Sequence, residues 1–154
     1  MAAISGGYVA VELFNGYTPK DTQALVHHSD SRILFTEKNI FNGMDIETMP
    51  NIMGVIDLHS GELLASRGDF AKIYADRDQL FAAAHPNGFT SDDVHYDERP
   101  MDELCAIMYT SGSTGFPKGV MLTVRNFSAN IDMIPTHCPY HEGDNYVSVL
   151  PYAH

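Results

Sequence analysis

The apolar run Leu104-Cys105-Ala106-Ile107-Met108-Tyr109 passes without a break into Thr110-Ser111-Gly112-Ser113-Thr114-Gly115-Phe116-Pro117-Lys118-Gly119. A short continuous apolar run bounded by turn residues reads as a buried strand. What this strand delivers is a loop crowded with hydroxyls and glycines that closes on a lysine. Glycines let the backbone approach a ligand and turn its N–H groups toward it. Ser and Thr hydroxyls add donors, and Lys118 adds a point positive charge. Together these residue types suit a polyphosphate. A ligand-free Gly/Ser/Thr turn is the plain alternative, but such turns rarely combine this order of hydroxyls, glycines, proline and lysine with an apolar strand before them.

The loop is not a Walker A sequence, which requires G-x-x-x-x-G-K-[ST]. From Gly112 the spacing to Lys118 fits, but Pro117 stands where the second glycine belongs. Gly119 occupies the place of the magnesium-binding Ser or Thr. A GTPase or P-loop ATPase is therefore the weaker reading.

Thr110 to Val120 resembles the phosphate-loop signature of the AMP-forming adenylating superfamily, which includes acyl-CoA synthetases, luciferase-like enzymes and peptide-synthetase adenylation domains. Leu150-Pro151-Tyr152-Ala153-His154 is similar to the Leu-Pro-Leu-x-His segment of acyl-CoA synthetases. The stretch from Thr18-Pro19-Lys20-Asp21 to Phe35-Thr36-Glu37 looks like the matching region of bacterial long-chain acyl-CoA synthetases.

The resemblance implies residue roles. Ser113 and Thr114, with backbone groups from Ser111 through Gly112 to Gly115, would hold the β- and γ-phosphates of ATP. Lys118 would neutralise charge near the departing pyrophosphate, which makes Lys118 and Thr114 the catalytic candidates. Thr110 would anchor the loop to its strand, and Pro117 would limit the conformations of the lysine turn. Tyr152 and His154 would lie near the acyl and adenylate site. The co-substrates implied are a carboxylate, ATP with Mg²⁺, and CoA. The resemblance further implies that residues 1–154 are a fragment of a large N-terminal AMP-binding domain, because the Tyr-Gly-x-Thr-Glu segment, the ribose-binding Asp, the hinge and the C-terminal catalytic Lys do not occur in them. Strand edges cut by such a boundary could drive self-association. Two other readings stay open: a stand-alone nucleotide-binding module, and one half of a split ligase.

The 154 residues are a one-domain length. The net charge of −11, from 9 Lys plus Arg against 20 Asp plus Glu, argues against a nucleic-acid partner and against an anionic membrane surface. Acidity peaks between Asp69 and Glu103, where nine acids face Lys72, Arg77 and Arg99; this reads as a solvated face. No apolar run of transmembrane length and no basic-then-apolar leader occurs. The two cysteines, Cys105 and Cys138, define no disulfide framework, and a reducing cytoplasm is the simplest compartment. His137-Cys138-Pro139-Tyr140-His141, even with His95, follows no standard zinc spacing, so no metal site is assigned.

Strands are expected at 8–14, 32–36, 52–58, 104–109, 120–122 and 146–150. Thr18-Pro19 starts a helix that ends near Ser29-Asp30. Helices are also expected at 78–84 and, capped by Thr123, at 124–133, with Pro135 and Pro139 flanking a loop. Strand, helix, strand over residues 8–36 predicts a βαβ unit with parallel pairing. The fold class is α/β, a partial parallel sheet with flanking helices.

Overall fold

The computed structural model describes residues 2–93, 99–110, 117–137 and 141–145. They divide into two compact units, one of residues 15–93 and one formed by residues 1–14 together with the chain from 94 onward. Each unit carries its own three-stranded sheet.

Helix α1 (Ala2–Ser5) and strand β1 (Ala10–Glu12) open the second-named unit. Helix α2 (Pro19–His28) begins the other. Thr18 is its N-cap and accepts from the Asp21 amide at 3.2 Å while its hydroxyl donates to the Asp21 carboxylate at 2.6 Å. Pro19 gives up no bond in the first turn, because the first amides of a helix lack intrahelical acceptors. At the far end Asp30 takes a left-handed φ of 53°. Its amide bonds the His27 carbonyl and the Ser31 amide bonds the Val26 carbonyl, which is the Schellman pattern. The buried stripe of α2 is Thr22, Leu25 and Val26. Ala24 and His28 on the same helix are exposed.

Strand β2 (Ile33–Thr36) pairs in parallel with β3 (Gly54–Asp57), and β3 pairs antiparallel with β4 (Leu63–Ser66). All of β3 is buried, as the middle strand of a covered sheet must be. The other buried apolar residues of this unit are Leu25, Val26, Met49, Ile52 and Phe70. Gly54 is glycine for a packing reason: a Cβ there would stand 2.0 Å from Cε1 of Phe70. Phe70 begins helix α4 (Phe70–Ala75), and α5 (Arg77–Ala84) follows.

The end of β3 organises the segments around it. Asp57 is a buried residue. It accepts from the Ser60 hydroxyl at 2.6 Å, the Ser60 amide at 2.8 Å and the Lys38 amide at 3.0 Å. Lys38 is the first residue of helix α3 (Lys38–Phe41), whose own N-cap, Glu37, makes no side-chain cap. Asp57 therefore caps α3 from a strand. The Ser60 hydrogen bonds, and after them the Lys38 amide, hold its carboxyl below the usual carboxylate range.

In the other unit, β5 (Leu104–Thr110) lies between β1, parallel to it, and β6 (Lys118–Thr123), antiparallel to it. Helix α6 (Val124–His137) follows directly. Asn126 caps it: its side-chain oxygen accepts from the Thr123 amide at 2.8 Å and the Thr123 hydroxyl at 2.9 Å. This is the reach-back half of a capping box.

The α/β class is as the sequence implies, with both sheets combining parallel and antiparallel pairs. The expected pairing across residues 8–36 is corrected. β1 pairs with β5, residues 104–110, and β2 with β3, and the two sheets fall in different units. Alternation and capping report that a segment is a strand or a helix; they carry no information about a partner ninety residues away. Helix α6 also runs beyond its expected end and through Pro135. A proline in the last turn removes one backbone bond, near an end where bonds are already few. The expected strand at 146–150 lies outside the described residues, as does Cys138.

Candidate functional site

The loop of interest is the turn of the β5–β6 hairpin. Thr110 and Lys118 are cross-strand partners, and residues 111–117 connect them. Residues directly opposite in an antiparallel pair present their side chains on the same face. The Thr110 hydroxyl and the Lys118 ammonium therefore share one face of the sheet at the hairpin mouth, and both residues are exposed.

Alternation along the hairpin separates two faces. Thr110–Lys118, Met108–Val120 and Ala106–Leu122 line one; Tyr109–Gly119 and Ile107–Met121 line the other. Tyr109, Cys105 and Ala106 are buried. Gly119 is seated against its neighbours, since a Cβ there would meet Cγ2 of Ile107 at 2.9 Å and the Tyr109 ring at 3.4 Å. The mouth thus rises directly from a packed pair of residues.

The opposite end of the hairpin is tied down. The Arg99 side chain, 10% exposed, donates to the Ile4 carbonyl at 2.7 Å, to the Glu103 carboxylate at 2.6 Å and to the Leu104 carbonyl at 3.3 Å. The Glu103 hydrogen bond raises the Arg99 pKa, and the same bond lowers that of Glu103. The first amides of α6 bond back to the same segment, Val124 to the Glu103 carbonyl and Arg125 to the Met101 carbonyl. Arg125 also pairs with Asp102 at 3.0 Å. The acidic stretch is therefore not wholly a solvated face: Glu103 binds Arg99, and Asp93 accepts from the Thr90 amide and hydroxyl beside His85. Composition counts charges and misses these pairings.

Of the residues expected at the site, Thr110 and Lys118 are brought together. Ser111, Gly112, Ser113, Thr114, Gly115, Tyr152 and His154 lie outside the described residues. Cys105, read as a core residue, is buried, and burial pushes its thiol up, away from the thiolate a nucleophile needs. Among the described residues no three His, Cys, Asp or Glu side chains gather as metal ligands. No described helix is long and apolar enough to cross a membrane.

A hairpin turn rich in hydroxyls and glycines, with a lysine at its exit strand, can bind an anion and stabilise negative charge developing on it. The chain is 28% identical over 155 residues to the peroxisomal long chain acyl-CoA synthetase 6 of Arabidopsis thaliana, an alignment covering 99% of the chain and 22% of that protein. It is 51% identical over 53 residues to the chloroplastic long-chain-fatty-acid–[acyl-carrier-protein] ligase AEE15 of the same plant, covering 34% of the chain and 7% of the relative. The chain thus spans under a quarter of the length of these relatives. Its fold is similar to that of the o-succinylbenzoate CoA synthetase of Bacillus subtilis, solved with its acyl-adenylate intermediate, with a TM-score of 0.62 at 22% identity over 99% of the chain and 33% of that structure. The model of the AMP-binding enzyme family matches residues 1–154, and the chain belongs to that family.

Proposed function

We propose that residues 1–154 form part of the large N-terminal domain of an ATP-dependent carboxylate ligase that makes an acyl-adenylate and then an acyl-CoA. The single observation that carries this reading is the register of Thr110 opposite Lys118, which puts the ends of the phosphate-loop signature at one hairpin mouth. In the reaction, a carboxylate oxygen attacks the α-phosphorus of ATP and the bond to pyrophosphate breaks. Charge grows on the leaving pyrophosphate. Donors from Ser111 to Gly115, with Lys118 at the exit, would meet that charge; preorganised donors of this kind act where charge develops.

Fatty acids are the proposed acyl substrates, supported by the names of the long-chain relatives. CoA is the proposed acceptor. The 51% identity to an acyl-carrier-protein ligase favours a carrier protein as the second reading. Mg²⁺ is proposed to arrive with the ATP phosphates, its usual mode of binding; Thr110 and Lys118 bring it no carboxylate. The cytoplasm is the proposed compartment, although these two relatives are named as peroxisomal and chloroplastic. Self-association through open strand edges is proposed for the isolated chain.

ATP–pyrophosphate exchange with a panel of carboxylates tests the reading. The 154-residue chain is expected to bind polyphosphate without exchange, because the adenine, ribose and α-phosphate contacts are proposed to come from segments beyond these residues. Robust exchange by the pure chain would refute this division of labour. Micromolar ATP affinity with no adenylate from any longer form would favour a binding module instead.

A further inference from the structure

Gly119 stands one residue beyond the lysine, directly opposite Tyr109. Nothing in anion chemistry requires a glycine at this place, on the face of the sheet opposite the mouth. The packing does. A Cβ at 119 would meet Ile107 Cγ2 at 2.9 Å and Tyr109 Cε1 and Cζ at 3.4 Å. The first distance is closer than van der Waals contact allows, and the methyl it meets is the stiff branch of a β-branched residue. Tyr109 is 6% exposed, so its ring has little room to retreat.

We infer that Gly119 is a positioning residue for the phosphate site: its missing side chain lets strand β6 pair closely with β5 over Ile107 and Tyr109, and that close pairing sets where β6 presents Lys118 to the mouth. The inference rests on the phosphate reading of the mouth. A methyl at 119 pushes β6 away from β5 at the pair adjacent to Thr110–Lys118, displacing the ammonium while leaving every charge in the chain unchanged. Interiors transmit such a push because they are close-packed.

The test is calorimetric titration of tripolyphosphate into the 154-residue chain and its variants, with circular dichroism to establish the folded fraction of each. Gly119→Ala is expected to weaken binding about tenfold, comparable to Lys118→Ala. Ile107→Ala alone is expected to bind nearly as the parent chain. The double variant Ile107→Ala/Gly119→Ala is expected to regain most of the affinity, because the offending methyl is gone; such coupling is what a double-mutant cycle isolates. Recovery by this double variant separates positioning from simple loss of stability, since two destabilising changes acting only on folding would add. If Gly119→Ala folds poorly, the comparison of the double variant with Ile107→Ala still decides: equal affinities support the inference.

Parent-like affinity in folded Gly119→Ala overturns the inference, and so does a double variant as weak as Gly119→Ala. In both cases a loss in Lys118→Ala leaves the phosphate reading standing. No binding by the parent chain, or parent-like binding by Lys118→Ala, overturns the phosphate reading and this inference with it.

Discussion

Thr110 and Lys118, eight positions apart in the chain, are direct cross-strand partners at the open end of the β5–β6 hairpin. A hydroxyl and an ammonium on one face of the sheet are the two described ends of a loop whose composition suits a polyphosphate. Strand residues are better held than loop residues, so the sheet positions Thr110 and Lys118.

Replacing Lys118 by alanine is expected to weaken ATP binding about tenfold or more, because a phosphate-facing charge is removed from a site where charge-assisted contacts dominate. Lys118→Arg is expected to recover only part of this, since a planar fork does not reproduce a compact point charge. Calorimetry with ATP on the folded variants reads both outcomes.

Gly54→Ala is expected to destabilise the chain by about 1–3 kcal/mol, the usual cost of overpacking a filled interior. The cause is local, a methyl driven into the Phe70 ring. Thermal unfolding followed by circular dichroism measures the loss, and Phe70→Ala in the same background is expected to relieve the clash while costing its own cavity.

Much of this architecture is legible in the sequence, and the illegible part has a physical pattern. Helix α2 could be read because Thr18, Pro19 and Asp21 act on the residues beside them. Strand β5 could be read because it is apolar throughout, and the mouth because the strand runs straight into the signature. Strand β4 was missed, since Leu63-Leu64-Ala65-Ser66 is too short to show a period. The Arg99 tie was missed because its acceptor on Ile4 is 95 residues away, and only the folded chain brings them together. The seating of Gly119 was missed for a related reason: a glycine in a signature is read for its backbone, while here the neighbours across the strand demand it.

Arg99→Lys is expected to lower the urea midpoint and to speed amide exchange at the start of β5. An ammonium cannot hold the Ile4 carbonyl, the Glu103 carboxylate and the Leu104 carbonyl as the guanidinium fork does. Arg99→Ala is expected to do more, leaving Glu103 without its cation. Hydrogen exchange resolved by residue distinguishes this local release from global loss of stability.

Stability is expected to fall with acid in a way that depends on Asp57. Its carboxyl titrates lower in the folded chain than in the unfolded one, held down first by Ser60. Its contribution is therefore complete above the unfolded value of about 3.9 and is lost as pH falls through the lower, folded value. Asp57→Asn is expected to be less stable than the parent chain at neutral pH and to flatten the acid limb of the stability curve. Urea midpoints measured from neutral pH down to strong acid check the sign.

The central claim is that the hairpin mouth grips a polyphosphate. Titration of the isotopically labelled chain with inorganic pyrophosphate, followed by NMR at the Thr110 and Lys118 amides, addresses this directly. Saturable shifts concentrated at these two residues, and absent in Lys118→Ala, are the result predicted. Amides that stay in place as pyrophosphate reaches millimolar excess, or that shift equally in Lys118→Ala, would contradict it.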